Sequence, residues 1–395
     1  MEPVTDPTPD PAPITASGPL AGLIVTDLSR VVAGPMVGMI LGDLGAIVTK
    51  VERPGAGDDT RQWGPPWLEH RDGTRTAAYF TAVNRNKQAV AADYATEAGA
   101  RAVRELVAGS DVVIENFRPG TLDRYGLGYE DLAAGRTGLI WASVTGFGTS
   151  GAAAELPGYD LLAQASSGLM SVTGDPAGPP MKVGVAVVDE VAALWTTIGI
   201  LAALDHRHRT GLGQRVEVSL FGAALATLLN QGSAHLVAGE DPQRGGNDHP
   251  SIAPYTTYRT SDVDIVVAAV NDAQFAGVLG VVGLDGSTGA DLTGDPRFAT
   301  NADRVANRRA LDAALAERLL SRSAAQWVAE FTTAGIPSCQ VRTVAGGFAL
   351  AAELGLDAVT TTVETDGTVI RTAASPLGFS ATPLGPATAP PRRPR

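Results

Sequence analysis

Cysteine is almost missing from this chain. One, Cys339, occurs among 395 residues, which excludes an intrachain disulfide scaffold and a structural zinc site built on several thiolates. Lysine is nearly as scarce. Lys50, Lys87 and Lys182 are the only three, so almost all of the 30 basic residues are arginine. Beside so much alanine and glycine this reads as genome composition, and arginine number alone carries no functional message. The five histidines show no H-E-x-x-H spacing, and no metal site is expected. No G-x-S-x-G elbow supports a serine hydrolase. No apolar run of 18 residues goes unbroken. The longest, Val191 to Leu204, has the length of a buried core helix, so no membrane partner is expected. The opening MEPVTDPTPDPAPITASGPL lacks a basic start and an apolar centre. It does not read as a secretory signal, and a cytoplasmic location is expected.

What is present is globular in kind: hydrophobic residues make up 44% and charged residues 18%. At roughly 150 residues per domain the length allows two or three domains. A net charge of −12 disfavours nucleic acid as a partner, while a local basic patch could still hold a phosphate.

Residues 1–18 read as a flexible, proline-rich N-terminal tail, and 382–395, ending PRRPR, as a flexible C-terminal one. The tail arginines could touch an anion. Between the tails, short apolar runs at Leu23–Asp27, Ala46–Glu52, Ala89–Asp93, Asp111–Glu115 and Gly138–Val144 predict strands. Gly34–Gly45 and Thr96–Ala108 are helical in pattern. These βαβ units predict an α/β fold: a Rossmann-like large domain with a parallel sheet covered on both faces. From Pro157 to Ala238 the pattern is mostly helical, with one strand at Arg215–Leu220. The Gly-, Asp- and Pro-rich stretch Gly239–Pro254 looks like a domain boundary. A smaller α/β domain then carries strands at Thr256–Tyr258 and Ile265–Val270, with helices at Asp272–Val281, Asn301–Ser321 and Ala324–Ala334. Strand pattern returns at Ala358–Thr372. The division is therefore 19–225 for the large domain, 226–335 for the small one, and 336–381 for a return to the large one.

In a parallel sheet, function gathers where strands end in loops. Gly146-Phe147-Gly148-Thr149-Ser150-Gly151 fits G-x-G-x-x-G after a strand. A dinucleotide site also needs a helix next and an acidic residue about twenty positions on, and Pro157 interrupts. An NAD-dependent oxidoreductase stays a distant alternative, and a glycine turn is the simpler reading. Asp27–Pro35 ends a strand, carries Arg30, and opens a helix with Gly34-Pro35. Arg53 lies beyond a strand end among glycines, where a guanidinium suits a phosphate. Val83 to Lys87, Asn116-Phe117-Arg118 and Arg124 place further polar and cationic groups at the sheet edge. Taken alone, the Arg53 loop reads as well as a solvated turn, and each of the others reads first as an ordinary turn. Together they would suit a ligand with several phosphates and an aromatic base. Asp189 sits between an apolar run and an apolar helix. It is either a helix cap or a desolvated carboxylate able to attack an acyl carbon.

In this order, these motifs resemble the class III coenzyme A transferases, the family of formyl-CoA transferase and carnitine CoA-transferase that also holds α-methylacyl-CoA racemase. The resemblance runs from about Leu20 to Leu350. It includes Leu41–Ala46, Lys50–Arg53, Asn84–Lys87, Glu115–Gly120, Tyr125–Tyr129, Thr210–Val216 and Gly335-Ile336-Pro337. It implies a Rossmann-like large domain, a small domain and an interlocked homodimer. Coenzyme A and acyl-CoA would be substrates alongside small carboxylic acids, with no permanently bound cofactor. Asp189 would be the covalent nucleophile. Val32, Ala33, Arg53, Val83, Asn84, Arg85, Asn86, Asn116, Phe117, Arg118 and Arg124 would contact CoA. Racemases of the family carry Gly-His-Asp where this chain has Gly158-Tyr159-Asp160. A phenol titrates near 10 and does not replace imidazole in near-neutral proton transfer, so transfer is expected and racemisation is the alternative. The glycine-rich loop of formyl-CoA transferase is not reproduced, and Arg244–Pro250 stands in its place. Tyr159, Gly245, Gly246 and His249 are acyl-pocket candidates.

Overall fold

The computed structural model describes residues 17–394, so the expected N-terminal tail lies outside the described residues apart from its last two positions. Two compact units emerge. One comprises the residues up to Leu169, Val183–Ser233 and those from Leu356 onward. The other comprises Met170–Lys182 and Ala234–Gly355.

The first unit holds six strands: β1 Ile24–Asp27, β2 Ile47–Glu52, β3 Lys87–Ala91, β4 Val112–Glu115, β5 Ile140–Thr145 and β6 Arg215–Ser219. They are hydrogen-bonded in the order β3-β2-β1-β4-β5-β6, parallel throughout. Strands β4 and β5 are buried at every position, as a sheet covered on both faces requires. Alternate residues supply the two cores. Val25, Val112, Ile114 and Ile140 pack on one face with Val37 and Leu41 of helix Ala33–Asp43 and with Ala193 and Ile200 of helix Val187–Thr210. Val51, Val113 and Trp141 pack on the other with Val103 and Val107 of helix Glu97–Ala108. Helix Val187–Thr210 is long and apolar enough to cross a membrane by length and composition, yet nearly half of its apolar window is buried. The strand pattern at 358–372 does not join the sheet. It forms a hairpin of its own, Val359–Val363 with Val369–Ala373. A second short hairpin, Trp67–Glu69 with Arg75–Ala77, has no counterpart in the sequence reading.

The second unit has a three-stranded antiparallel sheet, with Ile265–Ala268 between Tyr255–Tyr258 and Ser338–Gln340. Helices Asp272–Val282, Arg308–Leu319 and Ala324–Thr333 enclose a core of Phe275, Leu311, Leu315, Trp327 and Phe331. The single helix expected over 301–321 breaks at Asn307 into Asn301–Ala306 and Arg308–Leu319. The observed partition also moves the expected boundaries. Residues 336–355 stay with the second unit because Ser338–Gln340 completes its sheet. Residues 170–182 join it through Arg244, which donates to Gly178 O at 3.0 Å, and Gly246 N, which donates to Gly174 O at 3.1 Å.

The expected flexible C-terminal tail is corrected. Thr388 N donates to Asn86 Oδ1 at 2.6 Å, and Asn86 N donates to Thr388 O at 3.2 Å. Arg392 forms ion pairs with Glu364 at 2.9 Å and with Asp366. Acidic and amide side chains from elsewhere in the chain thus anchor a segment whose composition alone reads as solvated.

Two of the three lysines are interior. Lys87 Nζ pairs with Asp27 Oδ2 at 2.9 Å and Lys50 Nζ with Asp58 Oδ2 at 2.9 Å, and all four side chains are fully inaccessible. Burial alone would push the Asp27 carboxyl up, but the Lys87 and Lys50 ammoniums outweigh it and hold it below the usual carboxylate range. Replacing Lys87 with Met removes that carboxylate's direct ion-pair partner in the interior, which should cost about 3–5 kcal/mol. Arg209→Met, which breaks an exposed pair with Asp205, should stay within about 0.5 kcal/mol. Urea unfolding of both variants checks this, and equal small losses would show that the buried pair does not brace the sheet.

Candidate active site

Strand order reverses at β1, so the chain leaves β1 and β4 in opposite directions and a crevice opens beyond their C-terminal ends. The loop after β1 is locked to the loop after β4. Arg30 N donates to Asn116 Oδ1 at 2.8 Å, and Asn116 Nδ2 donates to Arg30 O at 2.6 Å. Between them Val31 sits at φ 72°, a region that a β-branched residue enters only when its surroundings force it. Helix Ala33–Asp43 starts here with no side-chain cap, and Val32 and Ala33 line the cleft. Its first N–H groups are thus available to an anion.

The far wall rises from the end of β5. A Cβ on Gly146 would collide with the Gly158 backbone, and one on Gly158 with Gly146. Two glycines in mutual contact bring the Gly158-Tyr159-Asp160 segment against the sheet. Asp160 then faces the start of helix Val187–Thr210. Its Oδ1 accepts from Val188 N at 2.8 Å and from Asp189 N at 3.4 Å, and its Oδ2 accepts from Gln164 Nε2 at 2.6 Å. Asp189 lies in the first turn of that helix and lines the cleft, 8% exposed. Burial pushes its carboxyl up to about 7, and the neighbouring Asp160 charge adds to the shift. A carboxylate so held is a stronger base than an ordinary aspartate, and the same property makes it a better nucleophile.

The cleft collects Val32, Ala33, Asn116, Phe117, Arg118, Tyr159 and Asp189, within about 900 Å³ of space partly open to solvent. Arg53 lines a small adjoining depression shared with Arg30 and Phe117. Its guanidinium meets Asp59 at 3.0 Å, and Arg30 meets the same carboxylate at 3.4 Å while lying 5.1 Å above the Phe117 ring. Arg30 Nε is buried with no hydrogen-bond partner among the described residues. Asn84, Arg85 and Asn86 do not line this cleft. Asn84 Oδ1 accepts from Lys87, Arg85 is buried in a two-point pair with Asp43, and Asn86 binds Asp43 and Thr388. Val83 is buried beside them, and Arg124 is exposed outside the cleft lining. Gly245, Gly246 and His249 belong to the second unit, where the His249 ring stacks on Tyr255. Among the described residues no group of three or more His, Cys, Asp or Glu side chains gathers as a metal site would.

In the sequence Asp160 is visible only as part of a triplet, and nothing local marks the Gly146–Gly158 contact. Tyr79 is a further neighbour of the two carboxyls, its phenol pushed up by burial and then by the Asp189 and Asp160 charges. No local pattern around Tyr79 marks it. Its place follows from tertiary packing beside the Trp63 ring, 5.6 Å away.

This is a doubly wound α/β protein whose crevice joins cationic loops to a buried carboxylate. A family model described as CoA-transferase family III matches residues 20–393. A succinate–glutarate CoA-transferase of Agrobacterium fabrum is 40% identical over 367 residues, covering 93% of this chain and 90% of its own length. An acetyl-CoA:oxalate CoA-transferase of Acetobacter aceti is 40% identical over 326 residues, 82% of this chain and 81% of its own. The crystal structure of a CAIB/BAIF family protein from Brucella suis superposes with a TM-score of 0.85 at 43% identity, covering 95% of this chain and 96% of the other. The chain belongs to CoA-transferase family III.

The Asp189 carboxyl keeps its proton to about pH 7 in the folded chain, whereas an unfolded aspartate releases it near 3.8. Its folded pKa is raised, so its contribution to stability is complete below about pH 4 and is lost as pH rises through 7. Asp189→Asn removes the charge and keeps the shape. The variant should gain on the parent as pH rises, by about 2 kcal/mol more at pH 8 than at pH 5 in denaturant titrations. An advantage that does not change with pH would show that the carboxyl is not held protonated.

Proposed function

We propose that the protein transfers coenzyme A between an acyl-CoA donor and a carboxylic acid acceptor, with Asp189 as the covalent carrier. The carrying observation is the buried Asp189 carboxyl, titrating near 7, in one cleft with the loops that hold Arg30 and Arg118. Asp189 attacks the donor thioester carbon. The C–S bond breaks, thiolate leaves, and an aspartyl–acyl anhydride remains. The thiolate attacks the aspartyl carbonyl and releases the donor acid, giving an aspartyl-CoA thioester. The acceptor carboxylate then expels thiolate to form a second anhydride. Thiolate attacks its acyl carbon and restores Asp189. Thioester energy is conserved, so nothing in the sequence of steps calls for nucleotide hydrolysis. The CoA phosphates would lie against Arg30, Arg53 and the N–H groups of Val32 and Ala33. The names of the relatives point to small dicarboxylates as the acceptor class.

Racemisation would need a second acid–base group across the α-carbon. Tyr159, 60% exposed, stands where racemases carry histidine. The relatives named above are transferases, which also disfavours this alternative.

The homodimer is a further part of this reading. Leu194, Trp195, Ile198 and Leu201 of helix Val187–Thr210 leave an exposed apolar face, which a second copy would cover. Trp195→Glu should convert a dimer to monomer in size-exclusion chromatography with light scattering. A parent that is already monomeric would remove the dimer from the reading.

Asp189→Ala should lose at least about 10³-fold in CoA exchange between acids while still binding CoA. With acyl-CoA present, hydroxylamine or borohydride should modify Asp189 and inactivate the parent, as located by peptide mass spectrometry. Run in heavy water, the exchange should leave the substrate's α-hydrogen in place. Substantial turnover by Asp189→Ala, or rapid α-deuteration, would overturn the covalent transfer reading.

A further inference from the structure

The segment Thr388–Arg393 is fastened near the start of the loop Arg53–Asp59 and just past its end. Arg393 Nη1 donates to Gly55 O at 3.0 Å, two residues from Arg53. Arg61 Nη2 donates to Pro391 O at 3.0 Å. The same Arg61 holds Glu52 through two bonds of 2.7 Å, and Glu52 Oε2 accepts from Asp58 N at 2.8 Å at the loop's other end. Gly55 and Gly57 both have positive φ, 76° and 71°. A loop with two such glycines has wide conformational freedom unless something outside it fixes its path. The segment is itself held by Asn86 on one side and by the Arg392 pairs with Glu364 and Asp366 on the other.

Arg392 and Arg393 differ in charge balance. Arg392 is neutralised by its acidic partners. Arg393 is exposed, meets a backbone carbonyl, and has no carboxylate within ion-pair reach among the described residues. In a chain of net charge −12, a ligand with several phosphates is repelled unless cations concentrate locally.

We propose that Thr388–Arg393 is part of the coenzyme A site: it sets the path of the Arg53 loop and supplies Arg393 as a further cation for a CoA phosphate. This rests on the reading that the chain binds CoA. Arg393 is a binding residue, and Arg392 is a positioning residue that acts through the segment.

The test is calorimetric binding of free coenzyme A and of dephospho-coenzyme A to the full chain, with steady-state kinetics alongside. Arg393→Gln changes an exposed side chain, so folding is not at issue. It should weaken CoA binding about tenfold and raise KM for acyl-CoA similarly, with kcat within about twofold. If Arg393 meets the 3′-phosphate, the loss disappears with dephospho-coenzyme A; if it meets the diphosphate, the loss persists. Arg392→Gln should raise KM for acyl-CoA but not KM for the acceptor acid. Parent-like CoA binding by Arg393→Gln would overturn the proposal while leaving the transferase reading standing. A parent that neither binds nor exchanges CoA would overturn both.

Discussion

Burying the Asp27 carboxylate at the end of the central strand is the constraint on which the first unit depends. It is fully inaccessible, so it persists only with partners at close range. Lys87 reaches it from the start of β3, and Lys50 lies opposite it in the β1–β2 register. Three neighbouring strands therefore share one electrostatic centre. The same carboxylate accepts from Ser29 N at 3.0 Å and from the Ser29 hydroxyl, and Lys50 Nζ donates to Ser29 O at 2.9 Å. That fixes the first residue of the turn leading to Arg30 and to Val31 with its positive φ. A Cβ on Gly38 would crowd both Asp27 and Lys87, so helix Ala33–Asp43 can lie this close only with glycine there. The geometry of the cleft wall thus follows from charges beneath it that never meet solvent.

The cleft is electrically divided. Guanidinium groups and an uncapped helix start occupy the side of β1 and β4, and a pair of carboxyls occupies the side of β5. Such an arrangement suits a polyanion at one end and an uncharged group near Asp189 at the other. The upward shift at Asp189 has a chemical consequence. A thiol ordinarily titrates near 8.5 and an aspartate near 3.9. Raising the carboxyl to about 7 brings it close to a thiol in basicity. In the transfer proposed above, passing an acyl group between the two would be less uphill than for a solvated aspartate.

Much of the sheet was legible because its strands are short apolar runs between turn residues, a local signal. The expectation for Asp189 rests on the ordered motifs and not on periodicity. What was not legible depended on contacts distant in sequence. Asn84, Arg85 and Asn86 read as a polar rim, yet Asp43, Lys87 and Thr388 consume their polar groups. The scarcity of lysine read as genome composition, yet two of the three form buried pairs whose partners lie on other segments. The C-terminal stretch has the composition of a solvated tail. Only the tertiary placement of Asn86, Glu364 and Asp366 turns it into an anchored segment. The strand Ser338–Gln340 is three residues long, too short for an alternation to register, and is defined by its pairing with Ile265–Val267.

The run Gly146 to Gly151 shows why a glycine pattern does not name its ligand. A dinucleotide fingerprint and this turn need glycine for the same reason, a backbone that must be approached closely. Here the approaching atoms are the chain's own, because Gly146 packs on Gly158. After Gly151 comes a short 3₁₀ turn, Gly151–Glu155, and no long helix whose N-terminus could face a pyrophosphate. The closeness is spent on bringing Tyr159 and Asp160 to the end of β5. From there Asp160 accepts the N–H groups of Val188 and Asp189. A side chain at either glycine would push the segment outward, lengthen those bonds and weaken the hold on the first turn of the helix that carries Asp189. The glycines therefore act on the carboxylate through the backbone, with the helix start as the intermediate, and their spacing in the sequence says nothing about a bound nucleotide.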